Sequence, residues 1–279
     1  MSVFSKGEAT IELAAEPLTV VAGQTVKVRA TVAGQADEKT RGARVELSYV
    51  NTYRDREYDQ SDDRQETRIR HDEIVVASQA LPPGAGSRLA EGVHEVELRI
   101  PDHAPPSMDD VIEWRAEGVI DREKARDAVT VVPLTVLSDA AAHQGWANHP
   151  PDVELGCPME FRLDKRIFRV GEPIDGYVVM TPRDEIKANE IRLELKAVQT
   201  DSGGEWSRTE KAGEITISDK VKLEPGHPLE FGFTLAVPEG WPASFEARRT
   251  TLHWYLEAIV SRRMRSDFNG RVEIVVANA

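Results

Sequence analysis

The residues of this chain best suited to metal binding or proton transfer are its seven histidines: His71, His94, His103, His143, His149, His227 and His253. None stands in an HxH or HxxxH pair. His143 and His149 fall near Asp139, Asp152 and Cys157, but that spacing matches no zinc pattern, so an ordinary polar linker is favoured over a metal clip. Cys157 is the only cysteine, which excludes an intrachain disulfide and a cysteine-built zinc site. Flanked by Gly156 and Pro158 with no motif around it, it reads as an inert thiol, because a nucleophilic cysteine needs a base or a positive neighbour. Asp59, Asp62, Asp63 and Glu66 could gather around calcium, yet they lack the glycine and closing glutamate of a helix-loop-helix site. The arginines Arg54, Arg56, Arg64, Arg68 and Arg70 interleave with them, and a self-neutralising solvated hairpin is the better reading.

Arginine forks bind phosphate and carboxylate bidentately. The five hairpin arginines are candidate partner contacts, and Arg248 and Arg249 before the Trp254 strand with Arg262, Arg263 and Arg265 after it are candidate contacts for an acidic peptide or for phospholipid headgroups. A charged edge that discourages sheet-to-sheet aggregation is the favoured reading of the second set. Trp206, between Gly203-Gly204 and Arg208, is the aromatic most expected to be exposed, and a loop tip packing back on the sandwich weighs at least equally with a binding anchor. No glycine-rich phosphate loop, no Gly-x-Ser-x-Gly elbow and no aromatic-basic stacking platform occurs. No catalytic residue, cofactor or metal is assigned, and the chain is expected not to be an enzyme.

The elements that must position these side chains are strands. Val26, Val28, Ala30 and Val32 alternate with polar neighbours, as do Val45, Leu47 and Tyr49, and then Val96, Leu98 and Ile100. No segment carries a 3.6-residue apolar stripe over three turns, although Asp121 to Arg126 and Glu185 to Glu190 could each form a helical turn. Thr52 to Glu73 has almost no aliphatic residues and reads as a long exposed hairpin or a partly disordered loop. Pro133 implies a strand edge or a bulge, since proline has no ladder donor. The tight turn Gly171-Glu172-Pro173 accounts for its own glycine and proline, and Glu172 needs no ligand.

A net charge of −13 disfavours a general grip on nucleic acid or on an anionic membrane, though a local basic patch could still act. The acidity is uneven, with 17 Lys+Arg against 26 Asp+Glu in residues 1–150 and 18 against 22 in residues 151–279. The N-terminus lacks the apolar run of a secretory signal and no stretch approaches a membrane helix in length, so a cytoplasmic location is expected.

The halves repeat one another. Val96-x-Leu98-x-Ile100-Pro101 is matched 137 residues on by Phe233-x-Leu235-x-Val237-Pro238, and at that offset Pro105 falls on Pro242 and Ser107 on Ser244. After a slip of three, Trp114 lies on Trp254. The expected architecture is all-β, two tandem seven-stranded antiparallel sandwiches of immunoglobulin-like type, with residues 1–137 and 159–279 as the domains and 138–158 as a linker. In it the tryptophans would be core, at a corner where the chain crosses between sheets.

The order of Val170-Gly171-Glu172-Pro173-Ile174-Asp175-Gly176-Tyr177-Val178, Ile191-x-Leu193-x-Leu195, Leu223 to Pro238, Pro242-Ala243-Ser244 and Tyr255-x-Glu257-Ala258 resembles the arrestin-like superfamily. That superfamily includes arrestins, the retromer's arrestin-like subunit and the bacterial sporulation-control proteins, the last being nearest in kind. The resemblance is good over the second half and fainter over the first. It implies an adaptor fold of two sandwiches. The phosphate-sensing charged cluster of receptor-binding arrestins is not placed, and the sequence closes in strand at Val276 and Ala277 where those carry an adaptor-binding tail, so receptor desensitisation is not implied.

The leading expectation is a non-enzymatic cytoplasmic scaffold or adaptor, with a regulatory role open to it, that binds proteins through strand edges and concave sandwich faces. The alternatives are a carbohydrate-binding or hydrolytic sandwich using Trp146, Trp206 and Trp241, and a structural subunit assembling by edge strands. Expected partners are proteins, with no nucleic acid, no integral membrane segment, room for peripheral membrane contact, and a monomer or weak homo-oligomer.

Overall fold

The computed structural model of the chain describes residues 9–34, 40–59, 64–84, 89–140 and 156–279. It divides into two compact units, residues 1–53 with 69–137 and residues 54–68 with 138–279.

In the first unit a three-stranded sheet, ordered β1-β3-β6, is built from β1 (Thr10–Glu16), β3 (Thr25–Ala33) and β6 (Gly92–Arg99). A five-stranded sheet contains β2 (Thr19–Val21), β4 (Thr40–Asp59), β5 (Arg64–Ala80), β7 (Ile112–Arg122) and β8 (Ala128–Leu137), in the order β2-β8-β7-β4-β5. Alternation dictates the core. Val26, Val28, Ala30 and Val32 are buried while their neighbours are not, and they share the interior with Val96, Leu98, Val45, Leu47 and Trp114. Only Thr19–Val21 pairs with β8 on its outer side, in parallel with Thr135–Leu137, so Pro133 sits where the strand has a ladder partner on one side alone.

The second unit repeats this plan. One sheet is ordered β15-β11-β9, from β9 (Met159–Leu163), β11 (Pro173–Met180) and β15 (Leu229–Ala236). The other is ordered β10-β18-β17-β12-β13, from β10 (Ile167–Arg169), β12 (Ile186–Asp201), β13 (Trp206–Asp219), β17 (Thr250–Arg262) and β18 (Phe268–Ala277). The short β14 (Lys222–Leu223) and β16 (Phe245–Glu246) pair at its margins. Strands of five residues or more number seven in each unit among the described residues; the additional ones have two or three residues.

Positions matched in sequence make matched bonds. Trp114 Nε1 donates to Pro105 O at 2.8 Å and Trp254 Nε1 to Pro242 O at 3.1 Å. Both tryptophans are buried, which removes any chance for their N–H to find water and makes the proline carbonyl its only recourse. Ser107 Oγ accepts from Val136 N and Ser244 Oγ from Val276 N, each at 2.9 Å, so the serine satisfies a strand N–H at the crossing. Gly23 and Gly171 open β3 and β11 from the left-handed region, at φ 86° and 83°.

Two local expectations need correction. Residues 185–190 form no helical turn, since β12 begins at Ile186, and residues 121–126 form a hairpin turn with Lys124 at φ 55°. Of the two readings of the charged segment after Thr52, the structure has the long hairpin, with strand up to Asp59 and again from Arg64. Pairing across the hairpin stands in for apolar burial: Thr52 Oγ1 meets His71 Nδ1 at 2.9 Å, Arg68 meets Glu57 at 2.9 Å, and Tyr53 is buried. The hairpin tip lies outside the described residues.

Candidate functional site

The outer faces of the two three-stranded sheets each carry a hollow, of about 1020 Å³ in the first unit and about 510 Å³ in the second. Strand register makes them comparable row by row. In the first unit Arg29 pairs across with Glu95 and Lys27 with Glu97, at 3.5 and 3.8 Å. Each exposed cation answers its own carboxylate, and such pairs contribute about 0–1 kcal/mol.

In the second unit the equivalent rows are Tyr177 opposite Gly232 and Asp175 opposite Thr234. The glycine leaves the floor of the sheet bare, and a Cβ there would lie 3.4 Å from Tyr177 Cε1, so the ring leans over the gap. Tyr177 is nevertheless 51 % exposed. Thr234 Oγ1 donates to Asp175 Oδ1 at 2.7 Å. Arg162, on the neighbouring strand, is held by Glu160 and Glu230 at 2.9 and 3.0 Å, which lifts its pKa further and lowers that of Glu160 through the shared hydrogen bond. Asp164 at the rim has no partner among the described residues. The hollow therefore offers a half-open aromatic face with a carboxylate and a guanidinium beside it. Sequence reading passed over it because Tyr177 and Gly232 lie 55 residues apart; only register sets them opposite.

A second cluster lies on the outer face of the larger sheet in each unit. Two glutamates face one another across the central strands in both units, Glu46 opposite Glu117 and Glu194 opposite Glu257. In the second unit Arg192 and Lys196 hold Glu194 at 2.9 and 2.8 Å, and Lys196 also binds Glu257. Burial pushes the Glu194 carboxyl up, but the hydrogen bonds from Lys196 and Arg192 with their charges outweigh it and bring the pKa to about 2. Such a network is saturated with internal partners and has little left for a ligand.

The residues singled out from sequence do not form one site. Arg54 N donates to buried Asp201 at 2.9 Å, and its guanidinium stacks 4.1 Å over the Trp206 ring, so Trp206 is half-buried rather than exposed. Arg68 pairs with Glu57 and Glu66, Arg56 is exposed and Arg70 is half-buried. The Arg64 side chain lies outside the described residues. Arg248 and Arg249 stand before β17, Arg262 is its last residue, and Arg263 and Arg265 follow it, so the two basic groups lie at opposite ends of a 13-residue strand. Trp241 packs edge-on against Trp254 at 5.5 Å, and Trp146 is outside the described residues, so Trp206 and Trp241 form no open sugar platform. Cys157 is fully buried. Among the described residues no three His, Cys, Asp or Glu side chains converge as a metal ion would require.

Fold and site together define an all-β sandwich protein whose corners are pinned by Trp–Pro and Ser–strand bonds and whose functional groups lie on sheet faces. Residues 155–268, from just before β9 to the first residue of β18, match the family described as SpoOM protein. The chain matches no curated protein. Among the described residues no helix is long and apolar enough to cross a membrane.

Proposed function

We propose that the protein is a non-enzymatic regulatory adaptor of the cytoplasm, and that the outer face of the β15-β11-β9 sheet is where it takes a protein partner. The observation that carries this reading is the hollow at Tyr177 and Gly232, inside the segment similar to SpoOM protein. That similarity supports a regulatory, sporulation-related role. An extended peptide lying along the strands would place one side chain on the Tyr177 ring and alternate side chains toward Asp164 and Arg162, while its backbone follows the pleat. The first unit performs the same structural task with ion pairs and offers no exposed aromatic at the corresponding row.

The test exploits that difference. A photoreactive residue in place of Tyr177 should capture a defined partner in the native host, and the double substitution Tyr177→Arg with Gly232→Glu, which recreates the Arg29–Glu95 row, should abolish capture from a neighbouring position while the fold persists. An unchanged partner set from the double variant, or turnover of a small molecule by the purified protein, would sink the reading.

A further inference from the structure

The turn joining β17 to β18 and the turn joining β7 to β8 have the same geometry and opposite chemistry. In both, an arginine N–H at the end of the incoming strand is capped by an aspartate three Å away: Arg122 by Asp127 and Arg262 by Asp267, each at 3.0 Å. Both place one residue in the left-handed region, Lys124 at φ 55° and Met264 at φ 58°. The first turn reads Arg122-Glu123-Lys124-Ala125-Arg126 and binds its own charges, with Glu123 paired to Arg41 at 3.8 Å. The second reads Arg262-Arg263-Met264-Arg265-Ser266.

Met264 is 94 % exposed, an apolar side chain that gains no packing and sits in backbone geometry that side chains rarely adopt. Arg262 fixes the base of the turn by stacking 3.6 Å over the Phe268 ring and donating to Ser266 O. Arg263 and Arg265 are exposed and have no partner among the described residues. The residue after β13, Lys220, lies at the same end of the sheet, since its N–H donates to Asn189 O beside Ala188, which pairs with Arg262. Segments 181–187, 219–228 and 262–267, the strand ends and turns at that end, hold seven Lys+Arg against five Asp+Glu, in a chain of net charge −13. Three of those carboxylates are already engaged: Glu185 and Glu224 bind Lys222 at 2.8 and 2.7 Å, and Asp267 caps the turn. The free charge here is cationic, and the most exposed large apolar side chain among the described residues stands in its midst.

We infer that the β17–β18 turn is a membrane-contact tip: Met264 enters the headgroup region of an anionic bilayer while Arg263 and Arg265 engage lipid phosphates. Headgroup attraction acts within a Debye length, about 8 Å at physiological salt, so the acidity of the remainder of the chain is largely screened from a projecting tip. One apolar side chain and a few cations give weak, reversible attachment, suited to concentrating an adaptor at a surface and not to anchoring it.

The experiment is flotation of the full chain with vesicles of phosphatidylcholine alone or with about 30 % phosphatidylserine, at low salt and at about 0.5 M salt. Binding is expected only with phosphatidylserine and at low salt. Removing Arg263 or Arg265 singly should weaken it roughly fivefold each. Grafting the first unit's turn through Arg263→Glu, Met264→Lys and Arg265→Ala should abolish it without unfolding, because that sequence already occupies this geometry at residues 123–125. A readout independent of lost binding is an environment-sensitive dye on Met264→Cys, since Cys157 is fully buried and will not compete for label. Its emission should shift to the blue on phosphatidylserine vesicles and not on phosphatidylcholine. The inference is overturned by equal binding to both vesicles, by a graft that floats as the parent does, by an unshifted dye, or by a graft that changes oligomeric state or acidic-peptide binding and leaves vesicle binding intact.

Discussion

The first unit fills two adjacent cross-strand rows on the outer face of its three-stranded sheet with ion pairs, whereas the second replaces an ion pair by an aromatic over a glycine. Arg29–Glu95 and Lys27–Glu97 become Tyr177–Gly232 and Asp175–Thr234. The same substitution of roles occurs on the larger sheets. Glu46 and Glu117 face each other as Glu194 and Glu257 do, but in the first unit each has its own arginine, Arg44 for Glu46 and Arg115 for Glu117, whereas in the second Lys196 on β12 binds both glutamates. Opposite Arg115 the first unit has Ser48, and opposite Lys196 the second has Tyr255. A like-charged pair is tolerated when each carboxylate has a cation in reach, and that cation is separate in one unit and shared in the other.

The parts that do not differ should give the largest effects. Trp114→Ala and Trp254→Ala each empty a buried site and orphan a proline carbonyl, and each should cost about 3–5 kcal/mol in denaturant titration. Similar losses from both variants would establish the corners as equivalent. A loss from one alone would break the comparison.

The glutamate pairs should separate the units. The Glu194 pKa is depressed to about 2 from an ordinary value of 4.5, so its contribution to stability is fully present above pH 4.5 and is lost as pH falls toward 2. That contribution is of the order of 3 kcal/mol, and Glu194→Gln should flatten the acid limb of stability against pH. In the first unit Glu46→Gln should change the limb less, because Glu46 has one arginine neighbour, Arg44, at 2.7 Å rather than a lysine and an arginine together. Equal flattening from both substitutions would remove the distinction.

Ser107→Ala and Ser244→Ala each leave a strand N–H without its acceptor and should cost about 1 kcal/mol apiece, measured in the same titration. The smallest effect is expected from Tyr177→Arg with Gly232→Glu, within about 1 kcal/mol of the parent, since an exposed cross-strand ion pair adds little and the row already exists in the first unit. A large destabilisation there would show that the tyrosine supports the sheet and is not held open for a partner.

Much of this was legible in the sequence. Alternation gave Val26 to Val32 and Val96 to Ile100 their faces, the absence of a 3.6 period excluded helices, and the spacing of Pro105, Ser107 and Trp114 against Pro242, Ser244 and Trp254 marked the corners. The segment beyond Thr52 was legible as a long hairpin, but not its strand limits, because aliphatic alternation is blind to strands held by charge pairs such as Arg68 with Glu57. Trp206 was read as exposed because nothing local reveals that Arg54, 152 residues earlier, lies over its ring.

The sequence by itself determined which residues turn inward and where the chain must turn, since both follow from period and from backbone chemistry within a few residues. Which exposed groups meet was decided only by the tertiary structure. Tyr177 and Gly232, or Glu194 and Glu257, become neighbours through strand register, and register is a property of long-range pairing that no local window of sequence contains.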